Sequence, residues 1–137
     1  MRILALDIGE TRTGLALSDA DLRHATPFDV LSTAQLCTDN RRLREVIEDY
    51  EVLRLLIGLP LLADGSEGSQ ARRVRNLAAK MLVGIEIKVT FFDERSSSIS
   101  AKAKGHELGL SERDMRGKLD SHAAAAFLQI YLDTIRD

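Results

Sequence analysis

Tryptophan is absent from the 137 residues, and two tyrosines and four phenylalanines bring the aromatic share to only 4%. A platform that stacks successive unpaired bases on aromatic rings is therefore not expected, and Phe91 and Phe92 read as core residues of a strand. The single cysteine, Cys37, excludes an intrachain disulfide. His24, His106 and His122 lack the mutual spacing of a zinc site. His122 follows Asp120 by two, which on a helix turns it about 160° away from that acid, so a packing or surface role is expected for it. No apolar run approaches the length of a membrane span, and no basic start leads into an apolar stretch and a small-residue cleavage site. A cytoplasmic location and no membrane partner are expected. The net charge of −2 offers no global attraction to nucleic acid. Any such binding must come from a local basic patch.

What is present is ordinary for a folded chain, with 45% hydrophobic and 29% charged residues. The length predicts one domain, 1–137, with room for a real core. Charge is uneven: Glu45, Glu48, Asp49 and Glu51 crowd one stretch and Arg72, Arg73, Arg75 and Lys80 another. Lys102, Lys104, Arg113, Arg116 and Lys118 lie nearer the C-terminal end. A solvated helix face accounts for any one of these clusters equally well.

The chain is organised around Met1 to Gly14, MRILALDIGETRTG. Arg2 to Ile8 is an apolar run that ends with one carboxylate, Asp7, as expected of a strand covered on both faces that delivers an acid to a sheet edge. An acid there is costly unless the following turn or a cation meets it. Gly9, Thr11, Arg12, Thr13 and Gly14 form a polar turn whose glycines permit close approach of a phosphate backbone. Gly14 to Ser18 then returns as a hairpin partner, and Ala25 to Leu31 makes a third strand, with Pro27 favouring an edge.

From Thr38 or Asp39 as N-cap, Leu43, Val46, Ile47 and Tyr50 predict an amphipathic helix. Val52 to Leu59 reads as a central parallel strand stopped by Pro60. The polar loop Leu61 to Ser69 follows at the strand's carboxyl end, where open α/β sheets place their sites. Val74, Leu77, Ala78 and Met81 predict a further helix, and Glu86 to Phe92 a further strand ending in Asp93, Glu94 and Arg95. Ser96 to Ser98 would cap a short helix toward Gly105 or Gly109, and Ser111 with Asp114 resembles a capping box for one more turn. Leu119 to Ile135 is predicted helical, and Ala123 to Ala126 give it a small-residue face. The order implies α/β architecture: three antiparallel strands, then parallel ones joined through helices.

Three acids then stand where chemistry can use them together: Asp7, Glu94 and Asp120. Asp19 is excluded because it ends the second strand, which runs antiparallel to the first. Asp93 is a rival to Glu94, since successive strand residues point to opposite faces. Asp120 in a first helical turn is also favoured by the helix dipole alone. Converging carboxylates repel one another unless cations join them, and with phosphate oxygens they suit Mg²⁺ or Mn²⁺.

Ala5-Leu6-Asp7-Ile8-Gly9 with Thr13-Gly14, Ile57-Gly58-Leu59-Pro60 with Asp64-Gly65-Ser66, Asp93-Glu94-Arg95, and Leu119-Asp120-Ser121 followed by alanines and Leu128-Gln129 resemble the YqgF/RuvX family. The resemblance spans nearly the whole chain and departs mildly at Ser96-Ser97-Ser98, where an apolar residue and threonines are more usual. It implies an RNase H-like mixed five-stranded sheet flanked by helices, and a nuclease that acts on Holliday junctions or on the pre-16S ribosomal RNA 5′ end. It further implies that Asp7 bridges two metal ions about 4 Å apart while Glu94 and Asp120 each add a ligand. Arg95 would meet the scissile or a neighbouring phosphate, and Thr11, Arg12, Arg72, Arg73 and Arg75 the rest of the backbone. Pairing of those arginines with the acidic helix is the alternative.

A symmetric cut of a DNA junction would require a two-fold homodimer, whereas processing of an rRNA precursor needs one copy. Two other classes fit parts of the sequence. Asp7-Ile8-Gly9 with Thr11, Thr13 and Gly14 also resembles the phosphate loop of actin-like nucleotide-binding domains, which need two such domains facing each other. A non-catalytic nucleic-acid-binding module on the same fold is the other, and the three acids speak against it.

Overall fold

The computed structural model describes residues 1–93 and 112–136, without the side chains of 112–120 and 136. Its strands are β1 (Arg2–Ile8), β2 (Arg12–Ser18), β3 (Ala25–Ser32), β4 (Val52–Leu59) and β5 (Lys88–Asp93). The helices are α1 (Thr33–Thr38), α2 (Arg41–Asp49), α3 (Ser69–Met81) and α4 (Glu112–Arg136). One sheet has the order β3-β2-β1-β4-β5, with β1 pairing parallel to β4 and β4 to β5, and β2 antiparallel to both β1 and β3. Only β2 therefore runs against the rest, and the ends of β1, β3, β4 and β5 meet the start of β2 at one carboxyl edge.

Strand alternation divides the core in two. Leu4, Leu6 and Ile8 of β1, Leu15 and Leu17 of β2, and Leu55, Ile57 and Leu59 of β4 pack with Leu36, Leu43, Val46, Val74, Ala78 and Met81 of α1 to α3. Ile3, Ala5, Ala16 and Leu56 meet Ala124, Phe127, Leu128 and Leu132 of α4 on the other face. Gln129 pins α4 to the amino edge: its Oε1 accepts from Ala25 N at 2.9 Å and its Nε2 donates to Arg23 O at 2.8 Å.

Several elements differ from expectation. α1 was not expected; Ser32 caps it, its Oγ accepting from Gln35 N at 3.2 Å. α2 begins only at Arg41, after Asn40. The Asn40 side chain is turned to α3 instead, its Nδ2 donating to Met81 O and Val83 O, each at 2.8 Å. That bonding satisfies orphan carbonyls at the end of α3 and leaves α2 with no side-chain cap. β2 starts two residues early and β5 two late, and α4 runs unbroken from Glu112, absorbing the turn expected around Asp114. The helix expected near Ser96 lies outside the described residues. The register of β2 on β3 slips between Leu15 and Ala16, opposite Asp29 and Pro27, so the outermost strand carries a bulge beside its proline.

Candidate active site

Asp7 shares the phase of Ile3 and Ala5 and so belongs to the face covered by α4. It is half-buried at the carboxyl edge. Its partner across β2 is Gly14, and on β4, where Leu6 pairs with Ile57, the next residue is Gly58. Neither neighbouring strand puts a side chain beside this carboxylate. Arg12, exposed and two residues before Gly14, takes the same face as Asp7. A carboxylate is a hard oxygen donor and fits Mg²⁺ or Mn²⁺ better than a softer metal. Among the described residues no group of three or more His, Cys, Asp or Glu forms a metal-sized cluster. Glu94 lies outside those residues, and Asp120 falls in α4, within the stretch whose side chains are not described.

Asp93, the rival to Glu94, has a defined phase. Phe91 packs with the α1–α3 core and Phe92 with the α4 core, so Asp93 falls with Phe91 on the face opposite Asp7. Asp19 sits at the far end of the hairpin, as expected, because Leu17 pairs with Leu4 while Gly14 pairs with Asp7. There it accepts from Arg23 N at 2.8 Å and His24 N at 3.3 Å. The Arg23 amide, chiefly, holds its carboxyl below the usual aspartate value. His122 is partly buried on α4.

The basic residues expected to meet phosphates separate into two groups. Arg75 is bound by Glu67 through Nε at 2.7 Å and Nη2 at 2.8 Å, and its guanidinium lies 4.3 Å from the Phe91 ring centroid. Hydrogen bonding to Arg75 lowers the Glu67 carboxyl below its ordinary range and raises Arg75 in return. Arg73 forms an ion pair with Glu10 in the β1–β2 turn and donates to Gln70 at 2.8 Å. Arg72 is exposed and makes no ion pair among the described residues. The alternative pairing with the acidic helix α2 is thus not what Arg73 and Arg75 adopt; their partners are at the carboxyl edge. Thr11 is exposed in the turn, and Arg95 lies outside the described residues. In the loop before α3, Asp64 Oδ1 accepts from Ser66 N at 2.9 Å and Ser66 Oγ at 2.6 Å, which fixes a tight local turn.

Sequence reasoning passed over two features of this edge. Gly58 stands beside Asp7 only through the parallel register, which no local pattern reveals. Thr33 holds the β1–β2 turn from α1, and the Ser32 cap before it was the available signal.

A protein of Anaeromyxobacter sp. (strain K), named "Putative pre-16S rRNA nuclease", is 41% identical over 133 residues, covering 97% of each chain. A protein of the same name from Roseiflexus sp. (strain RS-1) is 35% identical over 135 residues, 98% of this chain and 96% of its own. Among solved structures, T. thermophilus RuvC in complex with Holliday junction substrate superposes with a TM-score of 0.62 at 15% identity, covering 99% of this chain and 96% of that one. The fowlpox virus resolvase with Holliday junction DNA gives 0.54 at 9% identity over 100% of both chains. These two share the fold, and the expected RNase H-like sheet is the one observed. The model of the RuvX family, described as Holliday junction resolvase, matches residues 1–134, and with these relatives along the whole length the chain belongs to that family.

Proposed function

We propose that the chain is a divalent-metal-dependent nuclease that hydrolyses phosphodiester bonds of structured nucleic acid, at the carboxyl edge of β1. The observation that carries this reading is Asp7: a half-buried carboxylate flanked by Gly14 and Gly58, with Arg12 on the same face. Glu94 is the second acid of the site, a choice supported by the phase of Asp93, which falls on the wrong face. Asp120 is the third. Position 120 lies one turn before Ala124 on the stripe that carries Ala124, Phe127 and Tyr131 toward the sheet. Counting back from Gln129, nine residues of helix climb about 13 Å. Four residues of strand from Ile3 to Asp7 climb about the same, so the helix count supports a meeting at one height.

Asp7, Glu94 and Asp120 would hold Mg²⁺ or Mn²⁺ there. When bound, the ions supply activation of water and stabilisation of the leaving oxygen in an in-line displacement. The chain's own part is to bring the three carboxylates together and to seat the backbone. Thr11, Arg12 and Arg72 are the exposed groups for that contact, with Arg95 beside the scissile phosphate. Arg73 and Arg75 join them only by exchanging Glu10 and Glu67 for phosphates. Recognition is of backbone and shape, in keeping with the scarcity of aromatic residues.

The names of the relatives make the pre-16S rRNA 5′ end the first substrate to try and the four-way DNA junction the second. Symmetric junction cleavage would bring two copies together, one site each. The test is cleavage of both labelled substrates with Mg²⁺, Mn²⁺ or chelator, by wild type and Asp7→Asn. Metal-dependent cutting that disappears in a folded Asp7→Asn supports the nuclease, and the better substrate names its class. Binding without cutting by the wild type would replace it with a non-catalytic nucleic-acid-binding module.

A further inference from the structure

The backbone of the turn from Gly9 to Arg12 is held from another element by Thr33. Thr33, the first residue of α1, is 1% exposed. Its N–H donates to Thr11 O at 3.0 Å and its Oγ1 donates to Gly9 O at 2.8 Å. A hydroxyl has one proton to give. The 2.8 Å contact between Thr13 Oγ1 and Thr33 Oγ1 is therefore donated by Thr13, and the buried chain runs from Thr13 through Thr33 to Gly9. Within the turn, Gly9 N donates to Arg12 O at 2.9 Å, and a Cβ on Gly9 would stand 2.7 Å from that oxygen. The turn is thus closed tightly on itself, and two of its carbonyls are bonded by the same side residue. The ion pair of Glu10 with Arg73 holds its tip from α3.

We infer that Thr33 is a positioning residue for cleavage: its hydroxyl and amide fix the turn so that Thr11 and Arg12 meet the phosphate backbone beside Asp7. This rests on the nuclease reading of the carboxyl edge. Arg12 is long and exposed, so its charge is present whatever the turn does, but its place is not. A backbone fixed before substrate arrives removes the ordering cost from the encounter and keeps the phosphate in line with the acids. Thr33 itself touches no substrate. It acts through Gly9 and Thr11.

Two substitutions separate this role from packing. Thr33→Val keeps the volume and removes the hydroxyl; Thr33→Ser keeps the hydroxyl and removes the methyl. Cleavage is measured at a temperature where circular dichroism shows each variant folded, and junction and rRNA-precursor binding is measured by fluorescence anisotropy in chelator. Thr33→Val is expected to lose about 10- to 100-fold in cleavage, Thr33→Ser to restore it, and Arg12→Ala to add little in the Thr33→Val background. Non-additivity of that pair marks a residue that works through the turn. Serine more damaging than valine, or losses that multiply in the double variant, would overturn the inference. Should Thr33→Val not fold, Thr33→Ser carries the test: wild-type cleavage supports the hydroxyl role and a tenfold loss overturns it.

Failure of the nuclease reading is distinguishable. If wild type cuts and Asp7→Asn does not while Thr33→Val cuts like wild type, the positioning role alone falls. If wild type cuts nothing, the nuclease reading falls, and the positioning role is decided by binding: affinity lost in Thr33→Val and kept in Thr33→Ser supports it, equal affinities overturn it.

Discussion

The two faces of the sheet are made from the same strands and treat their carboxyl edge in opposite ways. Toward α1 to α3, β1 presents Leu4, Leu6 and Ile8, and β4 presents Leu55, Ile57 and Leu59, so the apolar layer continues to the last residue of each strand. Toward α4, β1 presents Ile3, Ala5 and Asp7, and the neighbouring positions are Ala16 and Gly14 on β2 and Leu56 and Gly58 on β4. Side chains on β2 and β4 shrink toward the carboxyl edge, and Asp7 of β1 stands between their two glycines. Phe92, the partner of Gly58 on β5, gathers with Phe127 and Tyr131 as an aromatic cluster, 6.1 Å from each of the other two ring centroids. Tyr131 also meets Arg54. One face is apolar along its whole length, while on the other β1 ends in a carboxylate with glycines at the paired positions on both neighbouring strands.

The strongest test of that division is Asp7→Asn, expected to lower metal-dependent cleavage by about 10³-fold or more. Its thermal transition should stay in place or rise slightly, because repulsion among the acids is relieved. A variant that unfolds would show the acid to be structural. Leu6→Ala attacks the other face at a fully buried position and should cost about 2–5 kcal/mol in urea unfolding. Cleavage well below its transition should stay close to wild type; a comparable loss of activity would erase the distinction between faces.

A smaller effect is expected from Gly58→Ala. Gly58 is not among the glycines of positive φ, so the backbone accepts the change. The new methyl group beside Asp7 should reduce cleavage about tenfold, measured at a temperature where circular dichroism shows the variant folded. Undiminished cleavage would show that the missing side chain at position 58 does not matter to the site. The smallest effect belongs to Glu67. Its folded carboxyl lies below its unfolded value, so its contribution to stability is present above the unfolded value and is lost as pH falls through the folded one. The pair is exposed, so Glu67→Gln should lower the melting temperature only slightly at neutral pH. The difference from wild type should vanish when both are melted in acid below the carboxylate range.

Much of this was legible in the sequence. β1, β3 and β4 declare themselves by composition, and β4 occupies the residues expected of it because Pro60 stops a continuous apolar run. α1 did not declare itself, since six residues carry too little periodicity and the Ser32 cap opens on polar residues. The start of α2 was misplaced because Thr38 and Asp39, the expected caps, end α1 and leave Asn40 as the N-cap. At the site, Asp7 could be singled out because an acid at the end of an apolar strand is anomalous by itself. Its company could not. Gly58 and the phase of Asp93 depend on how parallel strands are registered, and the partners of Arg73 and Arg75 depend on which loops share an edge.

The bond between Gln129 and Ala25 joins residues 104 positions apart, and α4 closes the face on which Asp7 stands. Contacts of such separation form late in folding, after the hairpins and the local helices. A chain that has completed only β1 to β3 therefore carries Asp7 on a face that α4 has yet to cover.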